Sequence, residues 1–205
     1  MSGPTLEREE ALWAEGCSWV AGLDEVGRGP LAGPVVAAAV VFRAGQRPID
    51  ELRDSKVMTA KQRERVAGEI RAAALAFALG AASVREIDRV NIRRATALAM
   101  RRALARLGIR PDHILLDGNP LPEIDAVHEA IVDGDALCHT IAAAGVLAKC
   151  VRDRLMVSLA KRYPDFGWDD NKGYATRRHL VELGRLGPTR HHRMSFMPVA
   201  QMELF

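Results

Sequence analysis

Two adjacent carboxylates, Asp24 and Glu25, close an apolar run and lead straight into Val26-Gly27-Arg28-Gly29-Pro30. In a regular strand neighbouring side chains face opposite ways, so both acids serve one site only if the strand ends or bulges here, which Gly27 and Gly29 would permit. A polar hairpin turn is the alternative for this stretch taken alone, since turns favour Asp and Gly. Asp117 repeats the arrangement: it follows Ile114-Leu115-Leu116 and precedes Gly118-Asn119-Pro120. Asp133 and Asp135 flank Gly134 after the next apolar run.

Ligand sites in α/β sheets gather at strand ends, so these separated acids could converge at one edge of a sheet. Carboxylates packed together repel and rise in pKa unless cations neutralise them, and an all-oxygen donor set favours magnesium or manganese over zinc. Two such ions would suit phosphodiester hydrolysis, one activating water and one stabilising the leaving oxygen.

The surrounding pattern supplies elements able to hold such a site. Residues 5–14 have helix-forming composition, and residues 18–23 and 35–42 are β-branched apolar runs separated by Gly and Pro. Thr59 with Gln62 completes a capping box for a helix running to about Ala73. Residues 74–83 read as a buried strand ending near Gly80, with helix as the competitor because of their alanines. Residues 92–107 are helical and stopped by Gly108 and Pro111; 113–116 and 127–132 are strands. Residues 141–161 form a long helix with the stripe Ala144, Ala148, Val151, Leu155, Leu159, and a last helix covers 176–186. Strands come early and then alternate with helices, which predicts a mixed sheet packed between helices and a helical C-terminal part.

At 205 residues and 48% hydrophobic content the chain suits one catalytic domain, with a core of about 17–160 and a C-terminal segment and tail of about 161–205. No apolar run approaches the ~18 residues that span a bilayer, and the acidic start is unlike a secretory leader; no membrane partner and a cytoplasmic location are expected. Cys17, Cys138 and Cys150 form no CxxC pair and read as small hydrophobes. Net charge is only +3, but arginine clusters at 93–94, 101–102, 177–178 and 190–193 are compatible with a polyanion partner and equally with solvated helix faces.

The motifs Gly22-Leu23-Asp24-Glu25-Val26-Gly27-Arg28-Gly29, Asp54-Ser55-Lys56, Leu116-Asp117-Gly118, Gly134-Asp135, the run from Ala142 through Lys149 with Arg152-Asp153, Asn171-Lys172-Gly173-Tyr174 and Arg193-Met194-Ser195-Phe196 together resemble type 2 ribonuclease H, ribonuclease HII. The resemblance implies an RNase H-like α/β fold and a monomeric endonuclease acting on RNA/DNA hybrids and on ribonucleotides embedded in duplex DNA. It implies that Asp24, Glu25, Asp117 and Asp135 surround magnesium or manganese ions, with Asp133 and Asp153 as nearby decoys. By the same resemblance the backbone of Gly27, Arg28 and Gly29 reads the 2′-hydroxyl, Tyr174 packs on the sugar at the RNA-to-DNA junction, and Ser55, Lys56 and Lys149 contact phosphates. Gly145 departs from the pattern, standing where a small hydroxyl residue is expected, so one phosphate contact is expected to be missing.

Lys149 and Asp153 are spaced for an ordinary helical ion pair. His191 and His192 read as surface or phosphate-contact residues, and Trp13, Trp19 and Trp168 as packing residues. The tail residues Gln201, Leu204 and Phe205 resemble the short peptide with which bacterial DNA enzymes bind the sliding clamp; the alternative is that Leu204 and Phe205 fold back or fray. A nucleotide-binding oxidoreductase is opposed by Pro30 and Pro34, which block the immediate helix that a pyrophosphate needs. A non-catalytic hybrid-binding protein would not need acids beside a polyanion.

Overall fold

In chain order, helix α1 (Glu7–Ala14) precedes strands β1 (Val20–Val26) and β2 (Val35–Val41). Helix α2 (Ala60–Ala73), strand β3 (Ala76–Ala82), helix α3 (Val84–Arg106) and strands β4 (His113–Asp117) and β5 (Glu129–Ile131) follow. Helices α4 (Gly134–Leu137) and α5 (His139–Ala160) lead into the C-terminal part, made of α6 (Trp168–Asn171), α7 (Arg177–Leu186) and α8 (Val199–Met202). The structure is a computed structural model and describes residues 3–202. Leu204 and Phe205 lie outside that range, and Gln201 is exposed on α8.

The strands form one sheet in the order β3-β2-β1-β4-β5, with β1–β2 and β2–β3 antiparallel and β1–β4 and β4–β5 parallel. Alternation along β2 feeds two cores. Val35, Ala37, Ala39 and Val41 face α3, packing with Ala95, Ala99 and Ala103, while Val36, Ala38 and Val40 face α2 and α5, packing with Val66, Ile70, Ala143 and Leu147. The expected mixed sheet between helices is therefore what forms. Small residues let the helices approach: a β-carbon at Gly22 would overlap the Thr140 backbone of α5, and one at Gly80 would overlap Ala99 O of α3. Gly80 accordingly lies within β3, opposite Ala37, and does not end the strand as its type suggested.

One stretch of helix is added and one expectation needs correction. A helical stretch capped by Ser83 and Glu86 runs from Val84 ahead of the expected helix; the backbone breaks at Asn91 (φ 70°), whose Oδ1 accepts the Arg94 amide, and the expected helix starts at residue 92. On α5 the stripe turns after Ala148. Leu155 is 38% exposed, while Arg152, Met156 and Ala160 are buried, because beyond the sheet this helix packs on Leu31, Ala32 and Trp168. Among the described residues no helix is long and apolar enough to cross a membrane.

Candidate active site

Strand β1 neither ends nor bulges at its acids. The ladder continues unbroken through Asp24 opposite Ala38, Glu25 opposite Ala37 and Val26 opposite Val36. The two carboxylates therefore leave opposite faces, contrary to the idea that a break brings them to one side. Asp24 faces α5 and is 5% exposed; Glu25 turns to the α3 side, into a small cavity it shares with Arg28, Thr96, Met100 and Asp117. What unites the site is the end of β4. Asp117 terminates that strand beside β1, and the Asp135 amide, in the first turn of α4, donates to Asp117 Oδ1 at 3.2 Å.

Ligand oxygens of Asp24, Asp117 and Asp135 all lie within 4.8 Å of one another, and Glu25 borders this triplet without belonging to it. Asp24 is pushed well above the usual carboxylate range by burial, then by the charges of Glu25 and Asp117. Burial also raises Glu25, against the pull of Arg28 at 3.2 Å, and burial plus Asp135 raises Asp117. The cluster thus concentrates more negative charge than the metal-free protein holds comfortably. Besides Arg28 at Glu25, Lys56 answers it at the triplet: Lys56 Nζ lies 2.7 Å from Asp135 Oδ2. Burial works against that ammonium, but the hydrogen bond and charge of Asp135, then of Asp54, hold its pKa above the usual lysine value. The decoys separate cleanly. Asp153 pairs with Lys149 at 2.8 Å and Arg63 at 3.4 Å, as its spacing predicted, and Asp133 precedes α4 in the left-handed conformation outside the triplet.

Beside the acids opens a cavity of about 250 Å³ lined by Asp24, Glu25, Asp117, the Gly27-Arg28-Gly29 backbone, Ser55, Lys56, Lys149 and Tyr174. The residues expected from sequence, apart from the tail and Asp135, which joins through Asp117, thus border one space. Ser55 is buried and Lys149 is already paired, so Lys56 is the more exposed cation there.

Sequence reasoning missed what holds the glycine stretch. Two fully buried arginines grip its carbonyls. Arg193 donates to Gly27 O (2.5 Å), Arg28 O (2.7 Å) and Gly33 O (2.8 Å), and stacks 4.9 Å above the Phe196 ring. Arg152 donates to Pro34 O (3.0 Å), Ala32 O (3.1 Å) and Lys172 O (3.0 Å), which ties the Tyr174 segment to the same loop. Gly27 has φ +97° and a β-carbon there would overlap Arg152, so a side chain is excluded twice over. Gly29 faces Tyr174, whose Cε1 would be 3.7 Å from its β-carbon. The reading of residues 190–193 as surface cations fails for Arg193 and His192, both buried; His191 is partly buried against Tyr163. Trp168 is a core residue as expected, whereas Trp19 is 39% exposed.

The sequence matches the Ribonuclease HII family over residues 21–199. It is 54% identical over 200 residues to ribonuclease HII of Paracoccus denitrificans, covering 97% of this chain and 94% of that one. Among solved structures it is similar to ribonuclease H2 from Pyrococcus horikoshii, with a TM-score of 0.76 at 26% identity over 91% of this chain and 97% of that chain. It is also similar to a chain in the PCNA:RNase HII complex from Archaeoglobus fulgidus, with a TM-score of 0.70 at 26% identity over 87% and 95% of the two chains. These likenesses bear out the expected RNase H-like α/β fold.

Proposed function

This chain belongs to the ribonuclease HII family, and from that premise we propose that it cleaves the RNA strand of RNA/DNA hybrids and incises duplex DNA at single embedded ribonucleotides, leaving 3′-hydroxyl and 5′-phosphate ends. The observation that carries the reading is the convergence of Asp24, Asp117 and Asp135 within 4.8 Å beside a glycine backbone and a partly exposed tyrosine.

The acids fit hard divalent cations. Their donors are all oxygen, their carboxyls are raised by mutual repulsion and burial, and a lysine ammonium sits where positive charge is wanted. Asp24, Glu25, Asp117 and Asp135 would hold magnesium or manganese, and two such ions would supply the positive charge that activates an attacking water and stabilises the leaving oxygen. The chain's own groups do the rest. The backbone of Gly27, Arg28 and Gly29 approaches the ribose closely enough to recognise its 2′-hydroxyl, and the Tyr174 ring packs on the neighbouring sugar. Lys56 and Lys149, with Ser55, hold flanking phosphates and fix the register of the scissile bond.

The test is cleavage of a labelled DNA duplex carrying one ribonucleotide, with and without magnesium or manganese, against an all-DNA duplex. Metal-dependent incision on the 5′ side of the ribonucleotide is expected. Retained hybrid binding without incision would overturn the reading in favour of a non-catalytic binding protein.

The chain is read as one catalytic domain and a monomer, and its three free cysteines suit a reducing compartment, the cytoplasm. The tail Gln201, Leu204 and Phe205 is assigned to a sliding clamp: its Leu and Phe suit an apolar groove, and the Archaeoglobus fulgidus protein has been solved together with PCNA. A chain ending at Ala200 should lose clamp binding; unchanged affinity would end that assignment.

A further inference from the structure

Behind Tyr174 lies a buried histidine pair that no step of the proposed reaction uses. His179 and His192 are 0% and 1% exposed and packed against Phe166 and Trp168. Their protonation pattern follows from which partners can only give or only accept. His179 Nδ1 lies 2.8 Å from Tyr174 O, a carbonyl that can only accept, so Nδ1 carries the proton. The Thr189 amide, which can only donate, reaches His192 Nδ1 at 2.9 Å, so that nitrogen is bare and the proton of His192 sits on Nε2. His192 Nε2–H then donates across 3.0 Å to His179 Nε2, the lone pair that also receives Trp168 Nε1–H at 3.2 Å. Every proton has an acceptor. The reverse tautomers would face donor against donor at Thr189 and leave Tyr174 O without its imidazole partner.

We propose that His179 and His192 are positioning residues for Tyr174: the tautomer chosen at Thr189 is relayed through His192 and His179 to the Tyr174 carbonyl, which sets the ring beside Gly29. The inference rests on the proposed role of Tyr174 at the ribonucleotide junction. The Tyr174 carbonyl has a second donor in the Thr176 amide at 2.8 Å, which continues into the cap of α7. The imidazole thus ties the Tyr174 carbonyl itself to the buried core, next to the anchors of Lys172 O on Arg152 and Gly173 O on the Leu31 amide, while the Thr176 amide closes the turn on itself. Burial lowers the pKa of both histidines, His192 to about 4, which keeps the pair in this neutral arrangement.

Imidazole nitrogen NMR of the intact protein reads the arrangement directly, without substrate. His179 should carry its proton on Nδ1 and His192 on Nε2; a proton on Nε2 of His179 would overturn the proposal. The functional arm compares His179→Asn, whose amide nitrogen lies where Nδ1 lies, with His179→Gln, whose amide nitrogen lies where Nε2 lies. His179→Gln should lower the preference for an embedded ribonucleotide over an all-RNA tract by about tenfold, and His179→Asn should restore most of it. Added to Tyr174→Ala, His179→Gln should cost nothing more. Equal losses in the Asn and Gln variants, matched by equal losses of melting temperature, would reduce the pair to core packing. If Tyr174→Ala itself left the preference unchanged while the NMR pattern held, the role of Tyr174 would fall and this inference with it.

Discussion

Gly145 of helix α5 stands directly against Asp24 of strand β1: a β-carbon on the glycine would overlap Asp24 Oδ2 and lie 3.4 Å from its Cγ. The glycine makes a seat for the carboxylate on the helix. The overlapping atom is the rotatable end of a side chain, so Gly145→Ser should fold, with Asp24 turned away from α5 toward Asp117 and Asp135. Crowding like charges penalises the metal-free form and leaves more for a divalent cation to recover. The rise in melting temperature on adding magnesium should widen by roughly 2–4 °C, the shift that about 1 kcal/mol produces in a domain of this size. The change in helix propensity cancels in that difference, so an unwidened gap would mean that Asp24 keeps its place.

Asp24→Asn and Asp117→Asn should each reduce cleavage by about a thousandfold or more while the fold persists. Stability supplies a second readout. Asp24 has its folded pKa raised, so its contribution is fully present below the unfolded value of ~3.9 and is lost as pH rises through the folded value. The buried neutral histidines His139, His179 and His192 act in the opposite direction as pH falls, so the carboxylate is read from the difference between metal-free wild type and Asp24→Asn. Asp24→Asn should gain in melting temperature on wild type as pH rises from mild acid to neutral, and Asp117→Asn, whose carboxyl is raised in the same way, should do so too. Thermal melts in chelator across that range check the sign; a variant that gains nothing on wild type would contradict it.

Much of this architecture can be read from residue types, and the exceptions have physical causes. The capping box at Thr59 and Gln62, the end of α2 at Ala73 and the placement of Asp117 at the end of β4 are local signals that survive folding. The face taken by Asp24 and Glu25 is not local: it depends on β2 continuing the ladder past the acids, which only the paired register reveals. The first stretch of α3, from Val84 to the break at Asn91, carries a legible signal in the capping box of Ser83 and Glu86. Arg152 and Arg193 resist composition-based reading altogether, since buried guanidiniums satisfied by backbone carbonyls look, in sequence, like any surface arginine.

Arg193 should prove a stability residue as much as a recognition one. Its removal strips charge-assisted bonds from Gly27, Arg28 and Gly33 carbonyls that are inside the protein. Arg193→Leu should cost about 3 kcal/mol in urea unfolding, and Arg193→Lys should recover only part, because one ammonium cannot span carbonyls that a planar fork reaches together. The lysine variant, still folded, should discriminate less between a ribonucleotide and a deoxyribonucleotide. Unaltered discrimination would show that the loop holds its shape without the arginine.

Lys56 offers the clearest separation of metal binding from substrate binding. Its ammonium lies 2.7 Å from Asp135 Oδ2 and 3.4 Å from Asp54 Oδ1, yet the side chain is 71% exposed, so the pair adds little to folding and can open easily. While closed, it competes with any divalent cation for Asp135. While open, the same charge is free to meet a phosphate. Lys56→Met keeps most of the stem and removes the charge, so manganese should bind the substrate-free protein about three- to tenfold more tightly, measured by calorimetric titration. Hybrid binding, measured by fluorescence anisotropy, should weaken, and its salt dependence should lose about one unit of slope, as expected for one phosphate contact. Tighter metal with weaker hybrid is a combination that neither simple misfolding nor loss of a passive surface charge produces. Unchanged manganese affinity would show that Lys56 does not guard the carboxylates, and an unchanged salt slope that it never meets the backbone.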